Sequence, residues 1–135
     1  DLPAAIRNIC QEVNINLGVT RVSYWDYEYD QDSIRAKYFY PEIYPTGVIL
    51  PLAQYPVYAL ALKNKIVIAA ADATTHPHTR EFSETYLKPM EIASMLDAPV
   101  IVNGNLIGII CCEQMLESKH WDEADILFVS ALCDI

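Results

Sequence analysis

The sequence predicts a three-layer α/β sandwich of the α+β kind. A central antiparallel sheet of five to six strands has the terminal helices on one face and short helices and loops on the other. Three observations predict it. Asn103-Gly104 stands between two apolar runs, Ala98 to Val102 and Leu106 to Cys112. Asn-Gly tolerates the positive φ that a tight hairpin turn demands. Neither flanking run alternates polar with apolar, so both faces of this hairpin are covered and it lies inside the sheet. The third observation is the order of segments: helix, two strands, helix, strand, helix, two strands, helix.

The elements follow in turn. Asp1 to Leu17 is amphipathic, with Ile6, Ile9, Cys10, Val13 and Leu17 at helical spacing, Asp1 as cap and Gly18 as stop. Arg21 to Tyr29 and Ser33 to Tyr40 are rich in Tyr, Val and Ile, and Asp30-Gln31-Asp32 joins them as a hairpin. Pro41, Pro45, Gly47 and Pro51 punctuate a loop. Gln54 to Lys63 reads as a short helix with Pro56 in its first turn, and Lys65 to Ala70 as a strand. Asp72 to His78 is a loop, and Thr79 to Leu87 a second short helix capped by Thr79. The Asn103-Gly104 hairpin comes next. Ser118 to Trp121 then leads into a last helix, where Asp122 and Asp125 have capping-box spacing and Ile126, Phe128, Val129 and Leu132 are apolar.

Composition bounds the function. A chain of 135 residues is long enough for one domain with a real core, and 53% hydrophobic residues exclude disorder. The net charge of −9 argues against nucleic acid and against anionic membranes. No apolar run approaches the roughly 20 residues of a membrane span. The ends lack an initiator Met and stop in a helix-like segment, so residues 1–135 are expected to be a single domain cut from a longer protein. Cys10, Cys111, Cys112 and Cys133 have no zinc or CxxC spacing. Adjacent cysteines on a strand point to opposite faces, so Cys111 and Cys112 read as small hydrophobes in a reducing, cytoplasmic setting.

The residues that carry chemistry are few. Asp72, His76 and His78 form a polar loop, but HxH fixes no third ligand for a metal. Arg80 is the candidate anion contact, beside the free N–H groups of a helix start; its alternative is a surface pair with Glu81 or Glu84. Trp25, Tyr55, Tyr58, Phe82 and Tyr86 are aromatics suited either to line a ligand cavity or to fill the core. Glu113 follows an apolar strand; if buried it needs a partner, Arg21 or Lys119. No GxSxG, P-loop, GxGxxG or HExxH motif is present, so no catalytic residue is assigned and the domain is not expected to be an enzyme.

One resemblance covers nearly the whole chain. RVSYWDYEYD, LPLAQYPVYALAL, DA-x-x-x-P-x-TREF-x-E-x-YL, SMLDAPV, NLIGIICCE and the final W-D-x-x-D helix, in this order, resemble GAF domains. The likeness is greatest to those of bacterial sensor histidine kinases and diguanylate cyclases. It implies a GAF/PAS-like sandwich with a ligand pocket on one face of the sheet. It implies a regulatory, small-molecule-sensing role in signal transduction. A homodimer through the terminal helices is implied as well, with a signal passed to other domains of the same chain. The alternatives are a ligand-free dimerisation or relay module, and a GAF-type methionine sulfoxide reductase. That enzyme needs exposed, spaced cysteines, which this pattern lacks.

The resemblance names no ligand. Residues 72–90 contain no Cys, so a covalent bilin is not expected. Asn64-Lys65 and Phe82 resemble the cyclic-nucleotide pattern, but Phe82 is not followed by its Asp-Glu pair, so a cyclic nucleotide is not expected either. A haem would need His76 or His78. On the hairpin, Ser94, Asp97, Cys111 and Glu113 carry the polar or soft groups that would face a ligand, and Gly108 allows a close approach.

Overall fold

The central strands are buried on both faces, and their successive side chains alternate between two separate cores on one sheet. A computed structural model of the chain describes residues 1–41 and 46–135, so Pro45 of the proline-punctuated loop lies outside the described residues. The elements are α1 (Leu2–Leu17), β1 (Arg21–Glu28), β2 (Ser33–Tyr40), β3 (Ile49–Pro51), α2 (Pro56–Lys63), β4 (Ile68–Ala70), β5 (Ile92–Val102), β6 (Asn105–Met115) and α3 (Glu123–Cys133). They form a six-stranded antiparallel sheet in the order β3-β2-β1-β6-β5-β4.

The local signals act as expected at both chain ends. Asp1 Oδ1 accepts from the Ala4 N–H at 2.8 Å, and Gly18 ends α1 at φ 65°. Asp122 and Asp125 form a reciprocal capping box on α3. At the tip of the β5–β6 hairpin, Asn103 and Gly104 take φ of 50° and 80°, as a primed turn requires.

Three elements differ from the sequence reading. The proline loop contains a short edge strand, β3, paired to β2 through Ile34 and Leu50; an edge position tolerates Pro51 because a missing N–H costs nothing on the unpaired side. β5 begins at Ile92, six residues before the apolar run that marks it, because Ser94 to Asp97 pair with Gln114 to Cys111 of β6. The helix expected over 79–87 is instead a 3-10 turn, Arg80–Phe82, followed by one π turn, Ser83–Leu87. Thr79 does not cap it. Its buried hydroxyl donates to the Ala73 carbonyl at 2.6 Å, the nearer way to satisfy a buried group.

The outer core lies between the sheet and α1 and α3. Ile6, Cys10, Val13 and Leu17 of α1 and Val129 and Cys133 of α3 meet Val22, Tyr24, Leu96, Ala98, Ile110 and Cys112. The inner core packs α2 and the 80–87 segment on Trp25, Ile68, Met95, Ile109 and Cys111. Cys111 and Cys112 therefore fall on opposite faces, each within an apolar cluster. Among the described residues no helix is long and apolar enough to cross a membrane.

Candidate functional site

The inner face of the sheet buries ionisable groups where a plain core would be apolar. Strand register places them in two rows. Arg21, Glu113 and Met95 are cross-strand neighbours in one; Ser23, Cys111 and Asp97 in the next. Side chains two apart on a strand share a face. Arg21, Ser23 and Trp25 of β1 thus stand in line, as do Cys111 and Glu113 of β6 and Met95 and Asp97 of β5.

The first row forms a closed triangle. Arg21 Nε donates to Glu113 Oε1 at 2.5 Å, Arg21 Nη2 donates to the Tyr86 hydroxyl at 2.7 Å, and that hydroxyl donates to Glu113 Oε2 at 2.7 Å. Arg21 and Glu113 are each only 1% exposed. Burial alone would lower the arginine's pKa; Glu113 and then Tyr86 outweigh it and hold the charge in place. The Arg21 guanidinium also lies 5.0 Å from the Phe39 ring centre. Of the two partners the sequence offered for Glu113, the structure selects Arg21.

The second row carries Asp97. The Tyr58 hydroxyl donates to Asp97 Oδ2 at 2.8 Å, while Oδ1 is buried with no hydrogen-bond partner. Burial is the largest influence and pushes the carboxyl up to about 7; the Tyr58 hydroxyl and, more weakly, the Cys111 thiol oppose it by hydrogen bonding, and the Glu113 charge adds to it. Burial, then Asp97, drives the Tyr58 hydroxyl well above its usual 10. The Cys111 thiol beside them is likewise raised well above 9, first by burial and then by the Asp97 and Glu113 charges. Trp25 Nε1 donates to Ser23 Oγ at 3.0 Å.

Aromatic rings close the space. Trp25 meets Tyr86 edge to face at 6.2 Å, and Tyr58 meets Phe82 edge to face at 4.8 Å. A small cavity remains, lined by Trp25, Ile34, Leu50, Tyr58, Phe82, Tyr86, Met95, Asp97, Cys111 and Glu113. It offers about 10 Å³ to the centre of a water-sized sphere, room for about one water.

Seven sequence-predicted residues therefore meet at one place: Trp25, Tyr58, Phe82, Tyr86, Asp97, Cys111 and Glu113. Tyr55 stands behind them, stacked on Phe82 at 4.1 Å with its hydroxyl 3.1 Å from Thr85 Oγ1. The other four do not line the cavity. Asp72 is exposed and accepts from Thr74 Oγ1 at 2.9 Å; that bond, with a further one from Thr75, lowers its pKa below 3.8. His76 turns Nδ1 to the His78 backbone N–H at 3.1 Å, and burial, then His78, lowers its pKa from 6.5. Among the described residues no group of three or more His, Cys, Asp or Glu could hold a metal.

Ser94 is a clamp for the chain that follows β6. Its hydroxyl donates to the Ala71 carbonyl at 2.6 Å and accepts from the Lys119 N–H at 2.8 Å. Arg80 is exposed, and the free N–H groups expected beside it at the start of the 79–87 segment are not free: the Thr79 and Arg80 N–H groups both donate to the His76 carbonyl, at 3.1 and 2.9 Å. Glu81 accepts from the Val57 and Tyr58 N–H groups at 3.0–3.2 Å, so its carboxylate sits on the N-terminus of α2. Sequence reasoning missed Ile34 and Leu50, and named Arg21 only as one of two partners for Glu113. The signal for Arg21 was there: an arginine at i, with Ser23 and Trp25 at i+2 and i+4, on a strand bonded to a buried hairpin.

An antiparallel sheet with two helices on one face and short helical segments over a small, mostly apolar cavity on the other defines an α+β sandwich. The family model for the GAF domain matches residues 1–135, and the chain belongs to that family. Solved structures agree in fold. The GAF domain of a two-component sensor histidine kinase from Bacillus halodurans is 19% identical, with a TM-score of 0.76 over 99% of this chain and 89% of that one. The blue-light-absorbing PixJ GAF domain of Thermosynechococcus elongatus is 17% identical, with a TM-score of 0.78 over 96% and 79%. Free methionine-R-sulfoxide reductase from Neisseria meningitidis, solved with its substrate, is 17% identical, with a TM-score of 0.71 over 93% and 70%. A search of curated proteins found no match.

Proposed function

We propose that this GAF domain is a regulatory sensor module of a bacterial signal-transduction protein, a sensor histidine kinase or a diguanylate cyclase. It binds a small molecule between the inner face of the sheet and the 80–87 segment. The observation that carries this reading is the three buried ionisable groups of the two rows, Arg21, Glu113 and Asp97, of which Glu113 and Asp97 line the cavity. A buried ion pair is often no more stabilising than apolar side chains of the same volume. A sheet that served only to hold two layers together would gain nothing from three ionisable groups there.

The role is regulatory rather than catalytic. Cys10, Cys111, Cys112 and Cys133 are all buried free thiols whose pKa values are raised, first by burial. A reductase working through a thiolate needs the opposite. The ligand enters by displacing the 80–87 segment, because the cavity as it stands holds about one water. It acts to the extent that it prefers the displaced form. The bias then passes through the sheet to α1 and α3, through which two copies pair, and on to other domains of the same chain. The setting is cytoplasmic.

Native mass spectrometry of the purified domain with a metabolite panel tests this, alongside hydrogen exchange of residues 80–87. A saturable non-covalent adduct with altered exchange in that segment supports a sensor. A stable dimer that takes no ligand, with unchanged exchange, refutes it. That outcome supports a ligand-free relay module, the reading favoured by the near-complete filling of the cavity by Tyr58, Phe82, Tyr86 and Met95.

A further inference from the structure

The charges on the inner face indicate what the pocket selects. Arg21 and Glu113 neutralise each other, with Tyr86 closing the triangle. Asp97 has no such counter-charge. The groups around it are Tyr58 from α2, Cys111 and Glu113 from β6 and Ile68, its neighbour on β4. None of these is a cation. Tyr58 satisfies Oδ2, whereas Oδ1 is buried with no hydrogen-bond partner in a residue of 0% exposure. A thiol is too weak a donor to replace a proper partner. The same cavity is lined by the rings of Trp25, Tyr58, Phe82 and Tyr86. Aromatic faces attract cations.

We propose that the pocket selects a small organic cation, a protonated primary amine, whose ammonium donates to Asp97 Oδ1 within the ring wall of Trp25, Phe82 and Tyr86. This rests on the sensor reading of the same pocket. An anion would meet two carboxyl groups and an arginine that is already engaged. A neutral alcohol would give Asp97 a hydrogen bond but no counter-charge. The small cavity admits the head group alone, so a carbon tail displaces Phe82 and Tyr86, and the 80–87 segment reports the ligand's presence.

The test is a titration near neutral pH, followed by two-dimensional amide NMR of the labelled domain. The probes are methylamine, ethylamine and isobutylamine, with isobutanol and isobutyrate as neutral and anionic counterparts. The amines are expected to give saturable shifts in β5, β6 and residues 80–87, and the counterparts none. Asp97→Asn is expected to weaken the amine about tenfold or more, as loss of a charged hydrogen bond does. If that variant fails to fold, the probe series on the wild-type domain decides alone. Isobutyrate or isobutanol binding as tightly as isobutylamine overturns the cation assignment and leaves the sensor reading standing. So does an inert amine series when the metabolite panel yields some other adduct. Failure of both the amines and the panel overturns both.

Discussion

Replacing Asp97 by Asn should flatten one component of the domain's stability against pH. Asp97 is fully buried, and its folded pKa is raised from 3.8 to about 7. The native state therefore holds a proton that the unfolded chain gives up near pH 4. A raised folded value means the contribution is fully present below the unfolded pKa. It declines as pH rises from about 4 through about 7 and is flat above that. The gap between 3.8 and about 7, at about 1.4 kcal/mol per pH unit, is on the order of 4 kcal/mol. Asn keeps the shape and neutrality of the protonated acid and still accepts from Tyr58. Urea unfolding followed by tryptophan fluorescence, on both proteins from about pH 4 to about pH 8, gives the difference in stability. The wild type should lose about 4 kcal/mol relative to Asp97→Asn across that range. Other titrating groups are common to both proteins and cancel. A difference that stays constant within about 1 kcal/mol would show that Asp97 is ionised as readily in the fold as outside it, and the burial argument would fail.

Four further outcomes follow from the packing. A Cβ on Gly108 would come within 2.4 Å of the Trp25 backbone oxygen and 2.5 Å of the Tyr24 hydroxyl oxygen, so Gly108→Ala should cost at least about 1–3 kcal/mol in urea unfolding; a neutral result would mean β1 and β6 can part locally. Glu113→Ala strands the buried Arg21 charge and should cost about 3–5 kcal/mol, while the double change Arg21→Met, Glu113→Leu recovers most of that, and simple additivity would contradict the pairing. Glu81→Ala removes the acceptor for two N–H groups of α2 and should lower stability by about 1 kcal/mol at neutral pH, with no effect counting against the cap. Native protein should leave all four buried cysteines unmodified by a thiol reagent until it unfolds, so rapid labelling of any one in folded protein would contradict its burial.

The fold was legible because its signals are local and repeated. Asp1, Gly18, the Asp122–Asp125 box and Asn103-Gly104 each set the conformation where they stand. The unbroken apolar runs of β5 and β6 revealed a sheet covered on both sides. Less visible were the elements whose form is decided by tertiary partners. β3 exists because β2 offers it an edge, and nothing in a proline-rich stretch announces that. Residues 79–87 have helical composition, yet Thr79 gives its hydroxyl to Ala73 and Ser83 gives its own to the Thr74 carbonyl at 2.8 Å. The preceding loop thus sets the winding. The site was legible by type and not by address. Buried aromatics and strand carboxyls were recognisable as cavity material, and seven of them converge. Asp72, His76, Arg80 and Ser94 have the same chemical appearance in sequence. Their bonds to neighbouring loop atoms, or their exposure, show only in three dimensions.

The alternation that divides the sheet into two cores also limits how a signal can cross it. Asp97 and Cys111 face the cavity, while Leu96 and Cys112, one peptide away, face α1 and α3. A change of rotamer at Asp97 or Tyr58 alters nothing on the far side, because the intervening backbone is fixed by hydrogen bonds on both edges of β5 and β6. Only a movement of the strands themselves can shift Leu96 and Cys112 against Cys10, Val13 and Cys133. In the sensor reading proposed above, that movement starts at the segments that cover the inner face. Tyr86 bonds both Arg21 of β1 and Glu113 of β6, and Tyr58 bonds Asp97 of β5. Pulling the 80–87 segment away from the sheet therefore releases the hydroxyl that ties β1 to β6. Phe82, which packs against Tyr58, leaves with it. Because close-packed interiors relax between discrete arrangements rather than by degrees, the three central strands should respond together, which is what a relay to α1 and α3 requires.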